Sequence, residues 1–316
     1  TGGIVPEIAA RKQVEAMVPV ISECFGKYKD LKNYKSLEEC YNDIDTVAVT
    51  VGPGLIGSLI VGVEAAKALA LFLNRSLIPV NHLVGHIYGN FLVDGSKKII
   101  EFPAVVLLVS GGHTDLVLMK DHGDFEYIGG TLDDAVGEAY DKVARLLGLA
   151  QYLGGALLSK KAQECEFNKI KGILPRPMVD QGNFDFSFSG LKTATRRIIE
   201  ENKYSVEEIA KEFEDAVVEV LVTKTMRAVK KYNVKSVLLG GGVSANATLR
   251  ETIEKECEKS GVLPFVPPLR LCSDNAITIA SAAYFMYASE QEKPRELKTD
   301  FSKIQPDPSL GIMDSV

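Results

Sequence analysis

Of the four histidines in the chain, two stand as His82-Leu83-Val84-Gly85-His86. Positions i and i+4 project from one face of a helix, and two imidazoles on one face can bind a single metal ion. Asn81 is placed to cap such a helix at its start. Zinc proteases carry a glutamate directly after the first histidine. Leu83 stands there instead, so the pair does not read as a protease site. A metal needs a third ligand from elsewhere. Asp274 is a candidate, because it opens a helix after a strand that ends in prolines. The plainer reading is two unrelated histidines at a helix start, each bonded to backbone or solvent.

Two glycine turns follow runs of buried-strand character. They are Val109-Ser110-Gly111-Gly112-His113-Thr114 and Leu239-Gly240-Gly241-Gly242-Val243-Ser244-Ala245-Asn246. Glycines let a backbone approach a phosphate, and consecutive N–H groups form an anion nest. A single turn of this kind is as easily explained by shape alone, whereas two after equivalent strands favour a nucleotide. Neither is followed by Gly-Lys-Ser/Thr, and neither completes Gly-x-Gly-x-x-Gly, so P-loop and dinucleotide readings are weak. In Gly52-Pro53-Gly54-Leu55-Ile56-Gly57-Ser58 the glycines read as close packing of helix on strand.

The acids Asp133, Asp134, Glu138 and Asp141 fall on a predicted helix from Leu132 to Leu147. A solvated face is the ordinary reading of such acids. Asp141 could nevertheless reach a ribose hydroxyl or a metal-bound water. Asp185-Phe186-Ser187-Phe188-Ser189-Gly190-Leu191-Lys192 reads as a capped helix start packed by two phenylalanines. Lys160, Lys161, Lys169, Lys171 and Arg176 form a basic stretch that could meet phosphates, with a solvated loop as the plainer reading.

These residues need elements to hold them. Predicted helices cover Val5–Phe25, Ser58–Phe72, Val206–Tyr232 and Asp274–Tyr287, with another starting at Asn246. Predicted strands cover Asp45–Val51, Leu77–Val80, Ala104–Val109, Asp115–Lys120, Ser236–Leu239 and Pro264–Val266. Tyr152–Phe188 reads as a loop-rich segment, and the tail from Ser289 as loosely ordered. Strand, glycine turn, helix is the unit of an α/β sheet. The units fall in two groups, which gives domains at residues 1–102 and 103–316, with the last helix free to pack back on the first. A length of 316 residues fits two cores better than one. No apolar run is read as reaching the ~18 residues of a spanning helix, and no signal peptide is evident. The five cysteines lack a Cys-x-x-Cys pair, which reads as reduced thiols in a cytoplasmic protein. A net charge of −6 does not advertise nucleic-acid binding, so an RNA contact would need a local patch or a partner.

Assembled in order, the segments resemble the TsaD family, formerly described as O-sialoglycoprotein endopeptidases. The matching stretches are Gly2–Glu7, Gly52–Gly57, the histidine pair, Val109–Thr114, Thr131–Asp134, Gly137–Lys142, Phe186–Lys192, Gly241–Asn246 and Cys272–Ala276, in the form found in bacterial members. The resemblance implies the two-domain α/β fold of the actin, Hsp70 and sugar-kinase group (ASKHA). It implies one divalent metal, iron or zinc, on His82, His86 and Asp274. It implies threonylcarbamoyl-AMP held by Leu108, Val109, Ser110, Gly111, Gly112, Asp141, Gly154 and Asn246. The implied reaction moves the threonylcarbamoyl group to N6 of adenosine 37 in tRNA, with the small paralogue TsaB and the ATPase TsaE as partners and no membrane. No side chain stands out as general base.

The chain departs from the family pattern twice. The family's leading strand and hairpin, with an acidic Glu-Thr-Ser-Cys-Asp-type segment, do not precede Thr1. A chain without them is expected to be unstable or inactive. The family's Tyr-Pro-Gly-Gly-Pro is here Tyr152-Leu153-Gly154-Gly155-Ala156, which is expected to loosen the loop at Gly154. The competing functions are a small-molecule kinase or ATPase of the same fold, a metalloprotease, and an inactive adenylate-binding scaffold. The histidine pair with Asp274 speaks against the kinase, and Leu83 against the protease.

Overall fold

The computed structural model describes residues 5–92, 99–288 and 300–314. They fall into two compact units. Of the described residues, one unit comprises those up to Tyr88 together with those from Ala276 onward, and the other comprises those from Gly89 to Asn275.

The first unit opens with α1 (Pro6–Lys32) and α2 (Leu37–Asn42). Proline suits the first turn of α1, and the helix runs beyond the predicted Phe25 to a left-handed asparagine, Asn33. β1 (Thr46–Gly52) and β2 (Ser76–Asn81) pair in parallel across α3 (Ile56–Leu73). α3 corrects one expectation. It has 18 residues and is long and apolar enough to cross a membrane by length and composition. Its two charges, Glu64 and Lys67, pair with each other at 2.8 Å, so they interrupt the apolar run less than the sequence suggested. In this unit it buries Leu59, Val63, Ala70 and Leu73. α4 (His82–Tyr88) follows β2 without a break.

The second unit is built on a five-stranded mixed sheet of order β5-β4-β3-β6-β7, from β3 (Ala104–Val109), β4 (Thr114–Asp121), β5 (Asp124–Gly130), β6 (Ser236–Gly240) and β7 (Leu263–Phe265). β3 is antiparallel to β4 and parallel to β6. Around it lie α5 (Val136–Leu146), α6 (Gly155–Gln163), α7 (Ser189–Glu201), α8 (Val206–Tyr232), α9 (Ala247–Ser260) and the short α10 (Leu269–Cys272). β5 and α6 were not expected. β5 ends in Gly129-Gly130, which masks its alternation, and α6 sits inside the segment read as loop. α8 matches its predicted span, because a complete capping box at Ser205 and Glu208 starts it and the left-handed Asn233 stops it. The core gathers Val105, Leu107 and Val109 of β3 with Leu116, Val237, Phe213 and Leu249.

α11 (Ala276–Ala288) returns to the first unit and packs on α4, β1 and β2. The tail expected to be loose is not so over residues 300–314. Ile304 and Leu310 join Val49, Val51, Val63 and Leu77 in one cluster. Asp307 N donates to Val51 O at 2.7 Å and Gly54 N to Pro308 O at 3.2 Å. Residues 289–299 lie outside the described residues.

Candidate functional site

Asn81, the last residue of β2, closes the strand and starts the helix. Its Oδ1 accepts from Leu83 N at 2.9 Å and its Nδ2 donates to Gly311 O at 2.8 Å. One short helix thus presents His82 and His86 together, with ring centroids 4.5 Å apart. Gly85 between them gives α11 room, since a methyl group there would meet Ile279 Cδ1 at 2.5 Å. Asp274 lies two residues before α11. One ligand atom from each of His82, His86 and Asp274 falls within 4.8 Å of the others. Two imidazole nitrogens and a carboxylate oxygen at that separation fit a single ion with bonds of ~2.0–2.2 Å. His86 is buried, His82 partly so, and Asp274 exposed.

The glycine turn between β3 and β4 is tied by its own backbone. Ser110 N donates to His113 O at 2.9 Å, and His113 N donates to Ser110 Oγ at 3.1 Å. Two other glycines crowd it. A side chain on Gly137, in the first turn of α5, would meet Ser110 O at 2.6 Å and Gly111 Cα at 2.8 Å. Gly241 has φ 86°, and a side chain there would collide with Val109 O. Gly111 and Gly112 are different. Both are exposed, neither has a positive φ, and a methyl group on either would meet nothing within 4 Å. Neither packing nor backbone conformation asks for glycine at these two positions. Exposed glycines leave backbone N–H groups open to approach, a surface of the kind a phosphate nest uses.

Asp141 meets the start of α6 at Gly155, next to Gly154. Asp141 Oδ1 accepts from Gly155 N at 2.9 Å. Gly154 is buried, and a methyl group there would meet Ala144 Cβ at 2.5 Å. Leu153 ahead of it takes φ 49°, a value closed to proline. The loop is therefore shaped differently from one with Tyr-Pro-Gly-Gly-Pro. Asn246 caps α9, its Oδ1 accepting from Leu249 N at 2.8 Å. Its Nδ2 donates to Ser159 Oγ at 2.8 Å and to Glu214 Oε1 at 2.6 Å. Ser159 and Glu214 escaped the sequence reading. Ser159 alone had a signal there, standing one helical turn after Gly155.

The acids before α5 correct another expectation. Asp133 is no bystander on a solvated face. Its carboxylate accepts from Ser187 Oγ and Ser189 Oγ at 2.6 Å each, and from Phe188 N at 2.8 Å. Burial works against this charge, but the hydroxyl and amide donors outweigh it and hold the carboxyl below its ordinary value. Asp134 bonds Lys142 at 2.8 Å and Lys192 at 3.1 Å, and these lysines likewise overcome burial and lower its pKa. The Phe186–Lys192 stretch behaves as a packed helix start, with Phe186 and Phe188 fully buried and stacked. Its cap comes from Asp133 rather than from Ser189. In the basic stretch, Arg176 turns inward to Glu212 at 2.5 Å and Glu219 at 2.9 Å. Lys161 pairs with Glu164 and Glu207, whereas Lys160, Lys169 and Lys171 are exposed.

The family model described as TsaD, tRNA N6-adenosine threonylcarbamoyltransferase, matches residues 1–281. A protein of that name from Bacillus subtilis is 50% identical over 287 residues, covering 89% of this chain and 78% of its own length. One from Dehalococcoides mccartyi is 47% identical over 295 residues, covering 92% and 83%. One from Persephonella marina is 44% identical over 286 residues, covering 90% and 78%. Among solved structures, HypF of T. kodakarensis superposes with a TM-score of 0.59 at 15% identity, over 80% of this chain and 42% of its own. A full-length HypF in a phosphate- and nucleotide-bound form gives 0.57 at 16% identity, over 84% and 42%. This likeness shows the fold expected from the sequence, that of the actin, Hsp70 and sugar-kinase group.

Proposed function

The chain belongs to the tRNA N6-adenosine threonylcarbamoyltransferase family, and from that premise we propose that its glycine-lined site holds threonylcarbamoyl-AMP and delivers the carbamoyl carbon to adenosine 37 of tRNA. It is an acyltransferase of tRNA threonylcarbamoyladenosine synthesis. The N6 amine attacks the carbamoyl carbon, a C–N bond forms, the bond from that carbon to the phosphate oxygen breaks, and AMP leaves with the electron pair while the amine gives up a proton.

The observation that carries the site assignment is the bare backbone at Gly111 and Gly112, held in place by Gly137 and Gly241. In this reading Leu108 and Val109 lead the strand into the turn, Ser110 closes it with its N–H on His113 O, and Gly111 and Gly112 turn N–H groups to the phosphate. Such groups also favour the departing AMP, because they are oriented before charge develops. Asp141 holds a ribose hydroxyl with the carboxylate oxygen that does not cap α6. Gly154 and Asn246 frame the same subsite from the starts of α6 and α9. His82, His86 and Asp274 would hold a divalent iron or zinc ion. When bound, such an ion supplies a Lewis acid for the carbamoyl or phosphate oxygen. The family's partners TsaB and TsaE and a cytoplasmic location belong to the same proposal. Exposed Ile8, Val14 and Val18 on α1 support a helix-mediated partner contact.

The test is transfer itself. Purified chain, synthetic threonylcarbamoyl-AMP and unmodified tRNA are incubated, with the two partner subunits added in a parallel reaction, and nucleosides are analysed after digestion. Threonylcarbamoyladenosine should appear, and a variant carrying both His82→Ala and His86→Ala should lose transfer together with about one metal equivalent per chain. Transfer that survives in a metal-free double variant would remove the metal from the proposal. Absence of product in both reactions, from a folded chain that binds AMP, would turn it toward the scaffold reading.

A further inference from the structure

Glu214 lies in α8 and is 1% exposed, yet among the described residues it makes no ion pair. Both its oxygens are used. Oε1 accepts from Asn246 Nδ2 at 2.6 Å, and Oε2 from Thr248 Oγ1 at 2.8 Å. Burying a carboxyl group this deeply is costly unless its hydrogen bonds are made. These bonds reach the start of α9 and, through Asn246, Ser159 of α6.

Counting donors makes the consequence explicit. An amide side chain has two N–H donors and one acceptor oxygen. Asn246 gives both donors to Ser159 and Glu214, and its oxygen takes the Leu249 amide. A carboxylate offers acceptors only, so Glu214 fixes which end of the Asn246 amide faces it. The hydroxyl of Ser159 accepts from Asn246 and keeps its own hydrogen. Ser159 stands one turn after Gly155, whose N–H is bound by Asp141. A rigid line of contacts therefore runs Glu214–Asn246–Ser159 along α6 toward Asp141.

We propose that Glu214 is a positioning residue for adenylate binding, locking the Asn246 amide so that the Ser159 hydroxyl is free to donate to the ribose. This rests on the reading of Asp141, Gly154 and Asn246 as the ribose subsite. Glu214→Ala, Glu214→Gln, Thr248→Val and Asn246→Ala are made in the full chain. AMP affinity is measured by calorimetry, KM for threonylcarbamoyl-AMP and for tRNA by transfer, and folding by thermal melting. Glu214→Ala should weaken AMP and raise the KM for threonylcarbamoyl-AMP by about tenfold, the effect of one lost hydrogen bond of ordinary net strength, with the KM for tRNA unmoved. Glu214→Gln should recover most of the loss, since its oxygen still accepts from Asn246 and its amide donates to Thr248. If Glu214→Ala does not fold, Thr248→Val decides, and unchanged AMP affinity in it overturns the proposal. Loss in Asn246→Ala with none in Glu214→Ala overturns the role of Glu214 and leaves the subsite standing. Full affinity in both removes the subsite reading as well. Equal loss of affinity and melting temperature in the alanine and glutamine variants reduces Glu214 to a packing residue.

Discussion

Asp115 stands three residues after Gly112 and is a buried acid whose pKa is raised. It is 9% exposed, pairs across the sheet with Gly130, and has Tyr127 Oη at 3.4 Å. Burial pushes its pKa from 3.8 to about 6, with the tyrosine pulling slightly the other way. Tyr127 is itself raised to about 12, first by burial and then by the charge of Asp115. A side chain on Gly130 would collide with both groups, so the pocket cannot be filled from that side. An acid whose folded pKa lies above its unfolded value binds more protons folded. Its contribution is therefore most favourable below pH 3.8 and is lost as pH rises through about 6. Asp115→Asn should raise the melting temperature at pH 7.5 and leave it nearly unchanged at pH 4. The displacement bounds the gain at roughly 3 kcal/mol. Equal effects at the two pH values would show that the carboxyl is not strained by burial. The histidine pair was legible in the sequence because four residues on a helix is a geometric statement. Asp115 was not, because a strand places a side chain by parity alone, and which face is buried depends on elements far along the chain.

At the scale of elements, two joints brace the starts of α5 and α7. Gly137 brings the first turn of α5 against Ser110, its N–H donating to Ser110 O at 3.2 Å. Gly137→Ala would press a methyl group on backbone atoms that cannot rotate away. It should cost about 1–3 kcal/mol in unfolding free energy and weaken AMP binding, read by denaturant titration and calorimetry. Normal AMP affinity in that variant would mean that the turn tolerates being moved. Asp133 is the second joint, capping α7 from a residue 55 positions earlier in the chain than Phe188. Asp133→Ala should lower stability by about 1 kcal/mol and speed amide exchange at Phe188 and Ser189. Because the Asp133 pKa is lowered in the fold, this contribution is present above the ordinary aspartate value of ~3.9 and is lost as pH falls below it. The helices starting at Val206 and Asn246, and the one predicted from Ser58 and found from Ile56, were legible because caps and breakers mark them locally. The role of Asp133 was not, since its donors arrive from distant sequence and only the closed fold joins them. α6 was hidden in the same way, its apolar face being split by Ser159, Lys160 and Lys161.

At the scale of the molecule, the charge and the chain's return to the first unit set the remaining expectations. With a net charge of −6, the chain alone has little general attraction for a polyanion. Its affinity for tRNA should fall only shallowly with salt, reflecting few phosphate contacts. A steep slope would reveal a basic surface that the exposed Lys160, Lys169 and Lys171 do not by themselves supply. The return matters more for stability. Residues 300–314 lie against β1, where Asp307 N bonds Val51 O and a side chain on Gly52 would collide with Asp307 O. Asn81, which starts the histidine helix, is held by Gly311 O. The two-stranded sheet β1-β2 therefore takes part of its core and part of its site geometry from the last residues described. Leu310 is 7% exposed within that cluster. Leu310→Ala should cost about 2–4 kcal/mol, and ending the chain after residue 299 should cost more. The truncation should also lower metal affinity at His82 and His86, because it removes the Gly311 carbonyl that anchors Asn81, and Leu310→Ala should do so to the extent that it frees Gly311. Denaturant unfolding and metal titration on the same samples separate the outcomes. A destabilised variant with unchanged metal affinity would show that β2 and α4 hold the histidines without the tail. Weakened metal binding in a variant of normal stability would show that the Gly311 contact sets the histidine geometry directly.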